Sequence, residues 1–146
     1  MRVRIIAVGK AKDRGLQGLL SDYYARINRY AKLDEVELKD GDESELTRRV
    51  TKLIPDRSRV VALEVDGRSL SSRALADWIG KAENDSVQTA VFLIGGAYGL
   101  PEPLSKAADL RLSLSAMTFP HRLCRLVLAE QVYRAFSILR NEPYDH

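Results

Sequence analysis

Three stretches of this chain concentrate the side chains and backbone that could do chemistry. Gly95-Gly96-Ala97-Tyr98-Gly99 packs three glycines into five residues directly after an apolar run. Ser113–Pro120 is rich in small and hydroxyl side chains, and Leu63–Gly67 ends another apolar run in a turn. Glycine lets a ligand approach the main chain because no Cβ intervenes. Loops of this kind, side by side, would suit a flat heterocycle such as adenine, held through N–H and C=O groups. Near them His121 follows Pro120, and an imidazole can move a proton near neutrality. His121 and Cys124 are three apart, but no third group is evident to orient a base, so a Cys–His nucleophile is not expected.

Farther on, Arg122, Arg125, Glu130 and Arg134 are the polar exceptions in an otherwise apolar helix. Glu130 and Arg134 are four apart, the spacing of a helix ion pair. Alternatively, Arg125 or Arg134 faces a phosphate, which a guanidinium grips through two parallel bonds. The end, Asn141-Glu142-Pro143-Tyr144-Asp145-His146, reads as a frayed tail or as a flap whose aromatic ring stacks on a base.

Several chemistries are excluded. There is no G-x-x-x-x-G-K-[ST] phosphate loop, and no G-x-G-x-x-G follows the first strand, where Ala7-Val8-Gly9-Lys10 stands instead. Asp40-Gly41-Asp42 lacks the rest of a calcium loop. With two histidines and one cysteine, no metal site is expected. A lone cysteine forms no internal disulfide, which fits a cytoplasmic protein. The apolar runs are too short for a membrane span or a signal peptide.

The elements that must position these residues follow from hydrophobic periodicity. Arg2–Gly9 reads as a strand; Leu16, Leu19, Leu20, Tyr23, Tyr24, Ile27 and Tyr30 mark one helix face. Leu33–Lys39 is a weaker strand, and Glu43–Ile54 a helix stopped by Pro55. Arg59–Val65 and Val87–Ile94 are β-branched runs, as in strands buried on both faces. Between them Ser71 or Ser72 caps a helix to about Ala82. Pro101 opens a short helix, Leu110–Met117 alternates as a strand, and a last helix runs from about His121 to Leu139. The alternation predicts one α/β domain over residues 1–146 with a largely parallel sheet. The last helix is apolar around most of its circumference, so a partner subunit should help enclose it. Charge is uneven: residues 1–32 carry a net +6, residues 33–46 a net −6, and residues 47–60 a net +4. The basic blocks could attract a polyanion such as nucleic acid; the acidic stretch 34–45 is expected to be an exposed excursion.

Taken in order, Leu93-Ile94-Gly95-Gly96, Ser113–Thr118, Pro120-His121, Leu128–Ala135 and Pro143-Tyr144 resemble the large-subunit rRNA pseudouridine N3-methyltransferase family of the SPOUT class. The resemblance implies a SPOUT-type α/β fold with a carboxyl-terminal trefoil knot, a homodimer built around it, and S-adenosylmethionine as methyl donor. It places the cofactor on Leu63, Gly95, Leu114, Ser115, Ala116, Met117, Thr118 and Phe119. It places the substrate side on His121, Arg134 and Tyr144, and it implies 23S rRNA in the assembled ribosome as the partner. His121 or a tail group could be the base, and Arg134 could favour the anion. The family's tail runs Pro-Tyr-His and then a basic residue; here Asp145 and His146 follow Tyr144, so only Tyr144 carries over. Methylation of another RNA, or an RNA-binding module without catalysis, are the competing readings.

Overall fold

A computed structural model describes residues 1–144. Strands and helices alternate along the chain: β1 (Arg2–Val8), α1 (Arg14–Ile27), β2 (Lys32–Leu38), α2 (Glu43–Leu53), β3 (Ser58–Ser69), α3 (Ser72–Asn84), β4 (Thr89–Ile94), α4 (Glu102–Ala107), β5 (Leu110–Ser113) and α5 (His121–Leu139). The five strands form one sheet in the order β2-β1-β4-β3-β5, and every pairing is parallel. The expected α/β architecture with a parallel sheet is therefore present.

The alternation of strand side chains assigns the layers. Val3, Ile5, Ala7, Ala90, Phe92 and Ile94 point into a core completed by Ile79, Leu128, Val132 and Phe136 of α3 and α5. Ile6, Val91 and Leu93 point the other way, onto Val50 of α2 and Leu104 of α4. All six residues of β4 are buried, as a strand covered by helices on both sides requires. Helix starts follow from side-chain caps: Asp13, Asp42 and Ser71 each accept a main-chain N–H of the first turn.

Two expectations are corrected here. The first part of the acidic stretch 34–45 is no free excursion, because residues 34–38 belong to edge strand β2, and the remainder leads into α2. The strand keeps Glu35 and Glu37 because they have a partner: Arg125 of α5 is 1% exposed, and its Nη1 donates to Glu37 Oε2 at 2.6 Å while Nη2 lies 2.7 Å from Glu35 Oε2. The Tyr24 hydroxyl also donates to Glu35. Arg125 is thus spent on internal carboxylates and faces no phosphate. Second, Leu19 is not on the inner face of α1 but 51% exposed.

The Arg125 triad is the polar hinge pin of the core. Burial pushes the Glu37 carboxyl up, but the Ala11 N–H and Arg125 outweigh this and hold it below the usual carboxylate value. A depressed folded-state value gives stability that is present above the ordinary carboxylate pKa and lost as the pH falls through the lowered one. Arg125→Met should cost about 3 kcal/mol by stranding two partly exposed carboxylates, a drop of roughly 10 °C in Tm. Calorimetry at neutral pH checks this, and Glu37→Gln should flatten the acid limb of the stability profile.

Candidate functional site

The carboxyl ends of β3, β4 and β5 meet at one end of the sheet, where open parallel sheets bind ligands. β3 builds the first wall. It pairs with β5 through Leu63↔Leu112, arches away, and returns with Arg68↔Leu112. Residues 64–67 form the arch. A Cβ on Gly67 would lie 2.7 Å from the Arg111 carbonyl, so only glycine lets β3 recross β5 this closely.

The second wall follows β5. The alternating pattern predicts a strand to Met117, but β5 stops at Ser113. Ser113 Oγ donates to the Ser115 carbonyl, and Ser115 Oγ accepts from the Met117 N–H. These side-chain bonds replace the strand ladder with a turn. Between the walls lies a narrow cleft of about 70 Å³ lined by Leu63, Val65, Leu112, Leu114, Ser115 and Phe119, with Cys124 of α5 behind. A pocket for a whole nucleoside needs several times that volume. A ligand must therefore extend over Val65 and Met117, which are 52% and 75% exposed. Burial pushes the Cys124 thiol up, so it is a wall and no nucleophile.

The third strand end is the glycine loop. Gly96 and Gly99 form a short antiparallel bridge, and Gly99 adopts φ +80°, where glycine carries no steric cost. Gly95 is constrained differently from expectation: its Cβ would meet the Gly99 and Leu100 main chain at 2.5–2.6 Å. The space a side chain would take here belongs to the loop itself rather than to a ligand. His121 secures the same loop. Its Nδ1 lies 2.9 Å from the Gly95 carbonyl, which can only accept, so Nδ1 carries the proton. Nε2 is buried and without a hydrogen-bond partner among the described residues. It lies 3.7 Å from the Cβ position of Gly9, so the imidazole wedges between the ends of β1 and β4.

The remaining candidates lie elsewhere. Arg134 donates to Glu130 from Nε at 3.0 Å and Nη2 at 2.8 Å, so the i,i+4 ion pair is present. The Tyr144 hydroxyl donates to the same Glu130 carboxylate at 2.8 Å, and the Arg134 guanidinium sits 4.5 Å from the Tyr144 ring centroid. Tyr133 meets that ring edge-on at 4.7 Å. Burial and the Glu130 bond push the Tyr144 phenol well up, so it remains a neutral donor. Glu142 accepts from the Tyr30 hydroxyl at 2.9 Å, so the tail folds back on α5 as far as Tyr144. Asp145 and His146 fall outside the described residues. Thirteen residues of helix separate His121 from Arg134, about 20 Å. One protomer thus unites Leu63, Leu114, Ser115, Met117 and Phe119 in the cleft, with Gly95 and His121 at the adjoining loop. It does not bring Arg134 and Tyr144 to them. Glu64, Val65 and Cys124, which complete the cleft, have no sequence signature beyond proximity to the turn.

No described helix is long and apolar enough to cross a membrane, and no described cluster of His, Cys, Asp and Glu could hold a metal. The profile described as "Predicted SPOUT methyltransferase" matches residues 1–146. The ribosomal RNA large subunit methyltransferase H of Sorangium cellulosum is 45% identical, with all of both chains covered. The protein of the same name from Bacillus pumilus is 41% identical over 99% of each. Among solved structures, a probable methylase family protein from Haemophilus influenzae superposes with a TM-score of 0.58 at 12% identity, covering 99% of this chain and 70% of that one. This chain belongs to the SPOUT methyltransferase family.

Because the Gly95 Cβ has no room, Gly95→Ala should displace the Gly99–Leu100 main chain and cost about 1–3 kcal/mol. Gly99→Ala meets no atom within 4 Å and incurs only the positive-φ strain, about 1–2 kcal/mol. Paired thermal melts check the order, and the crystal structure of Gly95→Ala should show the loop moved while the cleft walls stay in place.

Proposed function

We propose that the protein transfers a methyl group from S-adenosylmethionine to N3 of a pseudouridine in 23S ribosomal RNA, as a cytoplasmic homodimer acting on the assembled ribosome. One observation carries the reading: the cleft lies at the strand ends that the family resemblance assigns to the cofactor, in a chain alike over its whole length to named large-subunit rRNA methyltransferases. The carboxyl-terminal trefoil knot is part of the proposal. The close main-chain passage of β3 across β5 at Gly67 supports that part of the reading.

The residues present fit the cofactor. An apolar slot between Leu63 and Leu114 accepts a flat base, and the Ser115–Phe119 turn offers main-chain groups at its mouth. When bound, S-adenosylmethionine supplies an electrophilic methyl on a sulfonium, so no covalent enzyme intermediate is required. The chain's tasks are to hold the target nitrogen in line and to favour loss of its proton. Alignment of this kind supplies roughly 7–11 kcal/mol. Arg134 provides the cation that favours the N3 anion, and Tyr144, neutral and held by Glu130, provides a donor and a ring for the base. His121 is a positioning residue, because its one open nitrogen is buried against β1.

Along α5 Arg134 lies about 15 Å beyond the cleft residue Cys124 and about 20 Å beyond His121, and this separation argues that two protomers complete each site. Leu123 at 48% exposure and the half-exposed Leu126 and Val127 leave an apolar strip on α5 for a second copy. The test is complementation. Gly95→Val and Arg134→Ala homodimers should each be inactive in methyl transfer to unmodified ribosomes. Co-expressed as mixed dimers, they should regain about one quarter of normal activity, since half the dimers are mixed and each has one intact site. No recovery, with both variants folded and mixed dimers verified, would show that one protomer supplies the whole site.

A further inference from the structure

The two basic blocks of the sequence remain unexplained by the cofactor cleft. Three of their members, Arg2, Lys32 and Arg57, stand at the opposite edge of the sheet, where the strands begin. The parallel registers Arg2↔Lys32, Arg2↔Thr89 and Ser58↔Thr89 set β2, β1, β4 and β3 in one row. Lys32 and Arg2 stand in that row, and Arg57 precedes Ser58 at its far end. The Arg2 N–H donates to the Gln88 carbonyl and the Gln88 N–H donates to the Arg57 carbonyl, which locks the two arginines on either side of Gln88. Three strand spacings make the row about 14 Å wide.

These three cations are exposed, and no ion pair engages them among the described residues. Arg4 and Arg59 flank them but are answered: Arg4 by Asp34 and the Leu53 carbonyl, Arg59 by Asp85, which also takes Lys81. Asp34 lines the groove and also feels the charges of Arg2 and Lys32, and Asp56 precedes Arg57 in the chain, so the row keeps a net positive charge. A groove of about 620 Å³ runs along it over Met1, Arg2, Lys32, Asp34 and Gln88. The groove is open to water and carries the Arg2 and Lys32 side chains in its lining. Fixed cations along its rim suit a chain of phosphates, whose condensed counterions are released on contact.

We infer that this amino-terminal edge is a second RNA-binding surface, which grips the phosphate backbone of an rRNA segment distinct from the one carrying the target base. The surface rests on the proposed rRNA substrate. It lies one strand length, about 20 Å, from the cleft. Contacts there carry no base sequence, but they fix the enzyme's register on a folded RNA. Two grips about 20 Å apart explain how a small domain can require the assembled particle rather than an isolated nucleotide.

The test uses the full chain carrying Arg2→Gln, Lys32→Gln and Arg57→Gln together. A second variant carrying Arg48→Gln, Arg73→Gln and Lys106→Gln has the same net charge and leaves the edge intact. Binding of each to fluorescent large-subunit rRNA is followed by anisotropy from low to high salt. The edge variant should lower the slope of log K against log salt by about 2–3, and weaken binding at least tenfold at about 0.1 M salt. Its Tm and its S-adenosylmethionine affinity by calorimetry should be unchanged. An unchanged slope, or an equal loss in the second variant, overturns the inference. Failure of the unaltered chain to methylate ribosomes would overturn the proposed function instead, and the slope comparison would still judge the surface.

Discussion

The position of helix α5 on the sheet governs the molecule, and one buried guanidinium fixes it. Arg125 crosses from α5 to the edge strand β2 and satisfies Glu35 and Glu37 there. The apolar contacts of Leu128, Val132 and Phe136 hold the helix to the layer, but such contacts are not directional. The charge triad supplies direction and register. It sets the start of α5 against the glycine loop, where His121 meets Gly95, and sets Cys124 behind the cleft. It also points the far end of α5 away, where Arg134, Glu130 and Tyr144 form a separate cluster.

Main-chain crowding at the strand ends is the second constraint. Gly67 against Arg111 and Gly95 against Gly99–Leu100 are approaches that no Cβ would allow. The first lays the β3 arch onto β5 beside the cleft, and the second folds the glycine loop tightly on itself at the end of β4. The chemistry proposed for the chain suits this economy. A sulfonium donor needs orientation more than it needs acids and bases, so a site built of backbone and small residues suffices.

Much of this was legible in the sequence. The ten elements follow from periodicity and caps because packing and propensity agree along most of the chain. The misreadings of the acidic stretch and of Arg125 share a cause: a side chain's partner lies far away in sequence. Nothing local tells that Glu35 and Glu37 answer Arg125, some 90 positions on. The same ignorance made Arg125 a candidate phosphate ligand. β5 was read to Met117 because alternation persists through a segment that the bonds of Ser113 and Ser115 turn out of the ladder. Gly95 was rightly singled out for a close approach, but a sequence does not say whether the approaching group is a ligand or the chain's own backbone. The Arg134–Tyr144 cluster required the fold to reveal its distance from the cleft.

The central claim is that this cleft brings a methyl donor to large-subunit rRNA. Its most direct test is to incubate ribosomes from a strain lacking this modification with the protein and S-adenosylmethionine labelled in the methyl group, then map the label by mass spectrometry of 23S rRNA fragments. The account predicts stoichiometric label at N3 of one pseudouridine, none when Gly95→Val replaces the unaltered chain, and little on protein-free rRNA. Label on a different RNA, or none despite measurable cofactor binding, would contradict it.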